Sequence, residues 1–421
     1  MPVVMKGTGA APCKAACPAS IDVPRYVRLI AEGKTREALD VIRAKVPFPS
    51  VLGRVCPRPC ESECRRGELD EAVSICHLKR FVADFHENLW FHHFHPGPST
   101  RSSNGKNVAI IGSGPTGLTA AYYLINLGHS ATVFEAMDRP GGMMAFGIPA
   151  YRLPRDILDG EIRLIRSAVK NIKFATRIES LEELFDQGFH AVFVALGAQE
   201  SIRPGVKGED CPGVMDGLSL LRNINLGREV RLGEKVAVIG GGNAAVDCSR
   251  SALRLGAKEV TVIYRRTRME MPAYHDEIEM ALREGVNFLF LSSPKSVAPD
   301  GAMLRLSLTR MELADPGADG RKRPIPIQGS EFDVKFDNII FAVGQKPNIP
   351  KAFHLALTPW GTIQVNPENL MTNRKGVFAG GDVVSGPSSV IQAIAMGRAA
   401  AQSMDRYLGG EGLIDMVSAP S

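Results

Sequence analysis

"KNVAIIGSGPTGLTAAYYLINLGHSATVFEA", residues 106–136, is the stretch on which the fold turns. An apolar run meets Gly112, Gly114 and Gly117, a helical pattern follows, and a second apolar run ends at Glu135. The order strand, glycine turn, helix, strand, acid is that of a βαβ unit built to hold a dinucleotide. The first glycine permits the tight turn, the second lets the backbone approach a pyrophosphate, and the third lets helix and strand pack closely. The phosphates then face the helix N-terminus, where unpaired N–H groups and the dipole favour an anion. An acid about twenty residues on accepts hydrogen bonds from a ribose diol. A bare glycine fingerprint is weak evidence; one framed by two strands and an acid is strong.

A near copy lies at residues 235–267, "KVAVIGGGNAAVDCSRSALRLGAKEVTVIYRRT". It carries Gly240, Gly242, Asn243 and Ala245, alanine being an accepted third residue. Its second strand runs into Arg265 and Arg266, with no carboxylate. Arginines there suit a 2′-phosphate in charge and in bidentate geometry, which favours NADP(H) over NAD(H). The alternative is a guanidinium that stacks on adenine or pairs with a local acid such as Glu270.

At 421 residues, two or three domains are expected. The composition, 44% hydrophobic and 23% charged, is that of a soluble globular protein. The net charge of +5 comes with no arginine-rich arm, so nucleic acid is not an expected partner. No apolar run is long enough to span a bilayer, and residues 1–17 lack the apolar core of a secretory signal. The expected compartment is cytoplasmic, where clustered cysteines serve metals or redox chemistry.

Six of the eight cysteines, Cys13, Cys17, Cys56, Cys60, Cys64 and Cys76, lie in the first 76 residues. Residues 1–100 therefore read as a small cysteine-bearing unit, helical in "VPRYVRLIAEGKTREALDVIRA" (23–44). "FHHFHPGPSTRSSNGK" (91–106) reads as a solvated linker, its histidines tied to no other ligand by spacing. From residue 106 short β-branched runs alternate with helical stretches, the pattern of a parallel α/β sheet.

"NRKGVFAGGDVVSGPSSVIQAIAMGRAAAQSM" (373–404) resembles the segment that closes the FAD domain in the two-dinucleotide-binding flavoprotein reductases. The resemblance implies that Asp382, after Gly381, contacts the ribitol chain and that the helix starting at Val390 lies by the flavin. "FVALGA" (193–198) and "IIFAVGQKPN" (339–348) resemble the two crossing segments between domains, with Gly197 and Gly344 at the cofactors. The expected fold is an α/β protein with two Rossmann-like domains, preceded by a small helical cysteine-bearing domain. The FAD domain (105–198 and 337–408) is split by an inserted NAD(P) domain (199–336), and residues 409–421 form a tail.

"RPGGMMAFGIPAYRLPRDIL" (139–158), "YRRTRMEMPA" (264–273) and "GRVCPRPCESECRR" (53–66) together resemble the glutamate synthase small-subunit family. Its kin include the N-terminal half of dihydropyrimidine dehydrogenase and the flavin subunit of bifurcating transhydrogenase. The resemblance spans nearly the whole chain. It implies a flavoprotein electron-transfer subunit that binds FAD and NAD(P)(H), with iron–sulfur centres in the N-terminal unit. It implies further that Gly141, Gly142, Met143 and Gly147 to Pro149, with Ile148 between, line the isoalloxazine, and that Pro115 joins Gly114 at the pyrophosphate.

The chain departs from that family's pattern of two 4Fe–4S clusters. Of four upstream cysteines only Cys13 and Cys17 remain, and a Glu or Gln ligand position appears as Lys79, which as an ammonium cannot ligate. Cys76 stands about one helical turn before Lys79 and can face the same way. A cluster needs about four thiolates. One 4Fe–4S centre is therefore expected, held by Cys17, Cys56 and Cys60 with a fourth ligand from Cys13, Cys64 or Cys76. A tetrahedral zinc site or a docking unit with idle thiols are the alternatives.

Hydride transfer between nicotinamide and flavin asks for position and electrostatics more than for a catalytic side chain. Cys248 stands alone and "GGMMAFGIPAYRL" has no cysteine pair, which removes a disulfide route. His275 to Glu277 read as the start of a solvated helix. The expected role is a subunit that hands electrons between NAD(P)(H) and a redox partner subunit. That partner is glutamate synthase-like, or another iron–sulfur or molybdenum/tungsten enzyme such as an aldehyde oxidoreductase. A free-standing NAD(P)H:acceptor oxidoreductase, acting on ferredoxin, quinone or dyes, and a non-catalytic assembly module holding FAD remain as alternatives.

Overall fold

The computed structural model describes residues 10–93, 104–169, 171–317 and 320–414. Most of the expected linker, and the end of the expected tail, lie outside them. The chain forms two compact units, one of residues up to 145, 150–198 and 347 onward, the other of 146–149 and 199–346.

The first unit opens with helices α1 (Pro12–Ala16), α2 (Val23–Ala31), α3 (Thr35–Arg43), α4 (Pro49–Val55), α5 (Pro59–Ser62) and α6 (Ile75–His93). Four of these, α1, α2, α4 and α5, carry proline in the first two positions, where a missing N–H costs no helical bond. The apolar faces close on a small core of Tyr26, Leu39, Ile42, Phe48, Val51 and Leu52. Cysteines sit at element ends: Cys17 just after α1, Cys56 just after α4, Cys60 in α5 and Cys76 at the second position of α6.

The α/β part of this unit begins with β1 (Asn107–Ile111), α7 (Pro115–Asn126), β2 (Ser130–Phe134), α8 (Arg155–Ala168), β3 (Asn171–Lys173) and β4 (Ala191–Val194). The chain then enters the second unit through β5 (Glu200–Ser201), β6 (Val214–Asp216) and α9 (Gly217–Asn225). There β7 (Lys235–Ile239), α10 (Asn243–Arg254), β8 (Glu259–Tyr264), α11 (His275–Arg283) and β9 (Asn287–Phe290) repeat the same βαβ theme. A meander comes next, β10 (Ser292–Asp300), β11 (Met303–Pro316) and β12 (Lys322–Phe336), then β13 (Asn338–Phe341) and β14 (Gln345–Lys346). The chain returns to the first unit with β15 (Val377–Ala379) and α12 (Val390–Tyr407).

The two parallel sheets have one plan: β3-β2-β1-β4-β15 in the first unit and β9-β8-β7-β13-β6 in the second. The first sheet is thus split, β15 pairing with β4 in parallel after the whole second unit has intervened. Both sheets read as near-continuous Val, Ile and Ala runs because both faces are buried. The antiparallel sheet β10-β11-β12 is not foreseen by the α/β alternation. It covers one face of the second sheet through Leu304, Leu306, Leu308 and Phe336.

Candidate functional site

The first glycine turn lies between β1 and α7. Gly112 sits at φ +107°, and a Cβ there would lie 2.4 Å from the Ala195 carbonyl oxygen. A Cβ on Gly117 would lie 2.0 Å from the Gly112 carbonyl oxygen. Neither position tolerates a side chain without moving backbone. Gly114 caps α7 and Pro115 is its first residue. Gly142 lies against Gly114, a Cβ on the former meeting the Gly114 Cα at 2.8 Å, while Gly141 N–H donates to Ser113 O at 2.9 Å. The loop before Met143 therefore packs directly on the phosphate turn.

Glu135, just after β2, is buried. Its carboxylate accepts from Ser113 N–H and Met137 N–H, both at 2.8 Å, and from the Ser113 hydroxyl. The glycine fingerprint does not reveal these donors. They fix the carboxylate beside the glycine turn, with lone pairs to spare for a diol. At the far end of the unit, Gly381 (φ +77°) and Gly397 both lie on Thr116 of α7, where a Cβ on either would come within 2.3 Å. Asp382 accepts from Ser388 N–H and Oγ, at 3.1 and 3.0 Å, and burial raises its carboxyl above the usual range. Ser389 and Gln392 form a capping box that positions Val390 at the start of α12. Gly197 lies beyond β4 at φ +68°.

The second unit repeats the turn nearly atom for atom. Gly240 N–H donates to Ile263 O, as Gly112 N–H does to Phe134 O. A Cβ on Gly240 would meet the Ala342 carbonyl oxygen at 2.3 Å, matching the Ala195 contact of Gly112. By that register the residue equivalent to Glu135 is Tyr264, not either arginine. Its ring packs on Gly241, where a Cβ would lie 2.4 Å from the ring edge, and its hydroxyl donates to Glu270 O at 2.8 Å.

The two arginines part company here. Arg265 is exposed, whereas Arg266 is buried, its Nε donating to Lys322 O at 2.7 Å. Both lie in the bend that follows β8, where the Arg266 side chain turns to the meander and Arg265 is the exposed member of the pair. The Glu270 carboxylate is engaged by Thr267 in a capping box. The Asn243 amide oxygen accepts from Tyr274 N–H at 2.9 Å, and Ala273 N–H donates to Gly241 O, so the "MPAY" loop is tied to the turn at Gly242 and Ala245. Gly147 and Ile148 belong to this unit by their contacts, with Asn225 Nδ2 donating to Phe146 O and Ile148 O at 2.9 and 3.2 Å. Gly344, at φ +138°, accepts from Ile202 N–H, so the second crossing segment pairs with the residues just after the first.

In the helical part, Lys79 is buried and lies within electrostatic reach of four sulfurs, Cys56, Cys76, Cys17 and Cys60. Burial pulls the ammonium down and the sulfurs outweigh it, so the net shift is upward. The Cys76 thiol donates to Cys56, which is drawn down to about 6, and Cys76 keeps its proton. Burial pushes Cys60 up to about 12 and raises Cys17. Cys13 and Cys64 act on each other at the rim. Among the described residues no group of three His, Cys, Asp or Glu side chains converges as a single ion requires, zinc included. A four-iron cluster takes one thiolate at each of its irons, and the four thiols within reach of Lys79 match that number.

Three family comparisons agree with this geometry. Residues 155–397 match the pyridine nucleotide-disulphide oxidoreductase family. Residues 110–167 match an NAD(P)-binding Rossmann-like domain, and 7–89 the dihydropyrimidine dehydrogenase domain II, 4Fe-4S cluster. The small chain of glutamate synthase [NADPH] from Azospirillum brasilense is 34% identical over 94% of this chain and 86% of its own. The chain belongs to the glutamate synthase small-chain family. Other relatives are the beta subunits of NADP(+)-dependent formate dehydrogenase from Moorella thermoacetica and of NADPH-Fe(3+) oxidoreductase from Geobacter sulfurreducens. They are 44% and 43% identical over 94% of this chain, which spans 60% and 64% of their lengths. Among solved structures, FprA from Mycobacterium tuberculosis shares the fold, with a TM-score of 0.62 at 18% identity over 73% of this chain and 85% of its own. As a glutamate synthase small-chain relative, the protein takes FAD, NAD(P)H and a 4Fe–4S cluster. No helix among the described residues is long and apolar enough to cross a membrane.

Proposed function

We propose that the protein is the flavin subunit of a multisubunit oxidoreductase, exchanging hydride with NADP(H) and passing electrons to a partner subunit. One observation carries this reading. The same turn is built twice, once with a buried carboxylate at Glu135 and once with Tyr264 followed by exposed Arg265, behind a unit whose thiols gather round Lys79. A carboxylate suits the free diol of FAD and repels a 2′-phosphate; the second turn lacks that repulsion and offers a guanidinium.

When bound, a flavin would supply two-electron hydride chemistry and an iron–sulfur centre single-electron transfer. The chain's own residues supply position. Gly112, Gly114, Pro115 and Gly117 present the α7 N-terminus to one pyrophosphate, Gly240, Gly242 and Ala245 the α10 N-terminus to the other. Asp382 and the start of α12 at Val390 hold the ribitol and the flavin edge, while Gly142 and Met143 line the ring. The relatives point to a partner subunit bearing the substrate chemistry, of the glutamate synthase type or another iron–sulfur or molybdenum/tungsten oxidoreductase. The protein works in the cytoplasm.

Anaerobic titration tests the reading. NADPH is expected to bleach the visible flavin band at lower concentration than NADH, and the native protein to elute with a partner subunit. A flavin that neither nucleotide reduces points to an assembly module. A reducible flavin on a protein that elutes alone points to a free-standing oxidoreductase.

A further inference from the structure

Six N-terminal thiols are more than one cluster uses, and the structure separates them into two sets. Two buried groups on different helices lie within electrostatic reach of the same four. Tyr26, on α2, and Lys79, on α6, each sense the charges of Cys17, Cys56, Cys60 and Cys76. Cys76 is held toward this set from several sides. Its N–H donates to Glu61 Oε1 at 2.7 Å, which ties the start of α6 to the helix that carries Cys60. The carbonyl of its neighbour Ile75 accepts from Tyr26 Oη at 3.1 Å. Its sulfur lies 3.4 Å from Leu52 O, at the end of α4 that leads into Cys56. Cys13 and Cys64 instead lie within electrostatic reach of each other at the rim, both partly exposed.

We infer that the 4Fe–4S cluster is held by Cys17, Cys56, Cys60 and Cys76, with the Lys79 ammonium set beside it as a fixed countercharge, and that Cys13 and Cys64 are not ligands. The inference rests on the reading of the N-terminal helices as the iron–sulfur part of an electron-transfer subunit. Four thiolates gathered in a buried pocket repel one another, and a cluster with a neighbouring cation offsets that repulsion. A positive charge also favours the reduced, more negative cluster, so Lys79 sets its potential upward.

The test is iron and sulfide analysis with electron paramagnetic resonance on the anaerobically purified native complex, normalised to FAD. The Cys13→Ala/Cys64→Ala double variant, altered only at the rim, is expected to keep the wild-type iron-to-flavin ratio and an unchanged reduced-state signal. Cys76→Ala is expected to lose about four irons per flavin relative to wild type, or about one, with the signal of an oxidised three-iron centre. Lys79→Met is expected to keep its iron and shift the midpoint potential to more negative values. Loss of iron in the double variant overturns the ligand set whether or not Cys76→Ala folds. An unshifted potential in Lys79→Met overturns the countercharge. A wild-type protein without iron, its flavin still reduced by NADPH, sinks the iron–sulfur reading itself and this inference with it, while leaving the flavin chemistry standing. Iron in the wild type that survives Cys76→Ala intact sinks the ligand assignment alone.

Discussion

The contrast between Glu135 and Tyr264 shows how much one side chain decides. Both come directly after or at the end of the second strand of a βαβ unit, and both sit against the residue after the first glycine. Glu135 brings a buried charge held by two N–H groups, and Tyr264 brings a ring. Glu135→Ala removes the diol acceptor and frees the Ser113 and Met137 donors, so FAD affinity is expected to fall by about 1.5–3 kcal/mol, read as flavin lost on gel filtration. Full occupancy after dilution would remove residues 106–136 from the FAD site. Arg265→Ala is expected to raise the Michaelis constant for NADPH roughly tenfold or more and to leave that for NADH nearly unchanged, a phosphate contact being worth about 1.5–3 kcal/mol. Arg266→Ala is expected to lower thermal stability with no change in the NADPH/NADH ratio, because its Nε serves the Lys322 carbonyl. Equal effects of the two substitutions on that ratio would return Arg266 to the nucleotide. The sequence made the carboxylate legible, since an acid at the right distance after a glycine turn is a local signal. It could not separate Arg265 from Arg266, because which of two neighbours faces solvent depends on the meander brought in from residues 292–336.

At the scale of elements, the contact between α7 and α12 carries the first unit. It joins residues nearly three hundred positions apart, and it depends on small side chains: Gly381 and Gly397 both abut Thr116, and Gly397 also meets Thr119. Gly397→Val places a branched side chain where the Thr116 carbonyl oxygen lies 2.3 Å from a bare Cβ. The helices must separate, at about 1–3 kcal/mol or more for overpacking, and the flavin is expected to dissociate with them. The readout is a lower unfolding temperature with a lower FAD-to-protein ratio; an unchanged ratio would mean that α12 does not help to hold the flavin. The glycine–aspartate strand and small-residue helix were legible in residues 373–404 because their order is characteristic. The partners of those glycines were not, because nothing local to residue 397 points to Thr116. The three-stranded meander escaped for a related reason: its strands carry prolines and charges, and clear inward alternation is confined to a short run, Leu304, Leu306 and Leu308.

At the scale of the whole first unit, one carboxylate joins the helical part to the FAD sheet. Glu161, on α8, is buried and accepts from Ser50 N–H at 2.7 Å and Val51 N–H at 2.9 Å, at the open end of α4. The helix it caps leads directly into Cys56. Burial raises its carboxyl to about 7, against the pull of the two N–H groups and of Arg43. The native state therefore holds this proton through a range in which the unfolded chain releases it. Its contribution is fully present below the ordinary glutamate range near pH 4.5 and is lost as the pH rises through about 7. At 1.36 kcal/mol per unit, the span is about 3 kcal/mol. Glu161→Gln, which imitates the protonated acid, does not titrate. Measured at matched FAD and iron content, its stability relative to wild type is expected to rise by about 2.5 kcal/mol between pH 5 and pH 8. A relative stability that instead falls with pH would show that the charge on Glu161 is favoured in place. The α4 N-terminus and Arg43 would then outweigh burial, and the link between the cysteine helices and the flavin sheet would be strongest with the carboxylate ionised.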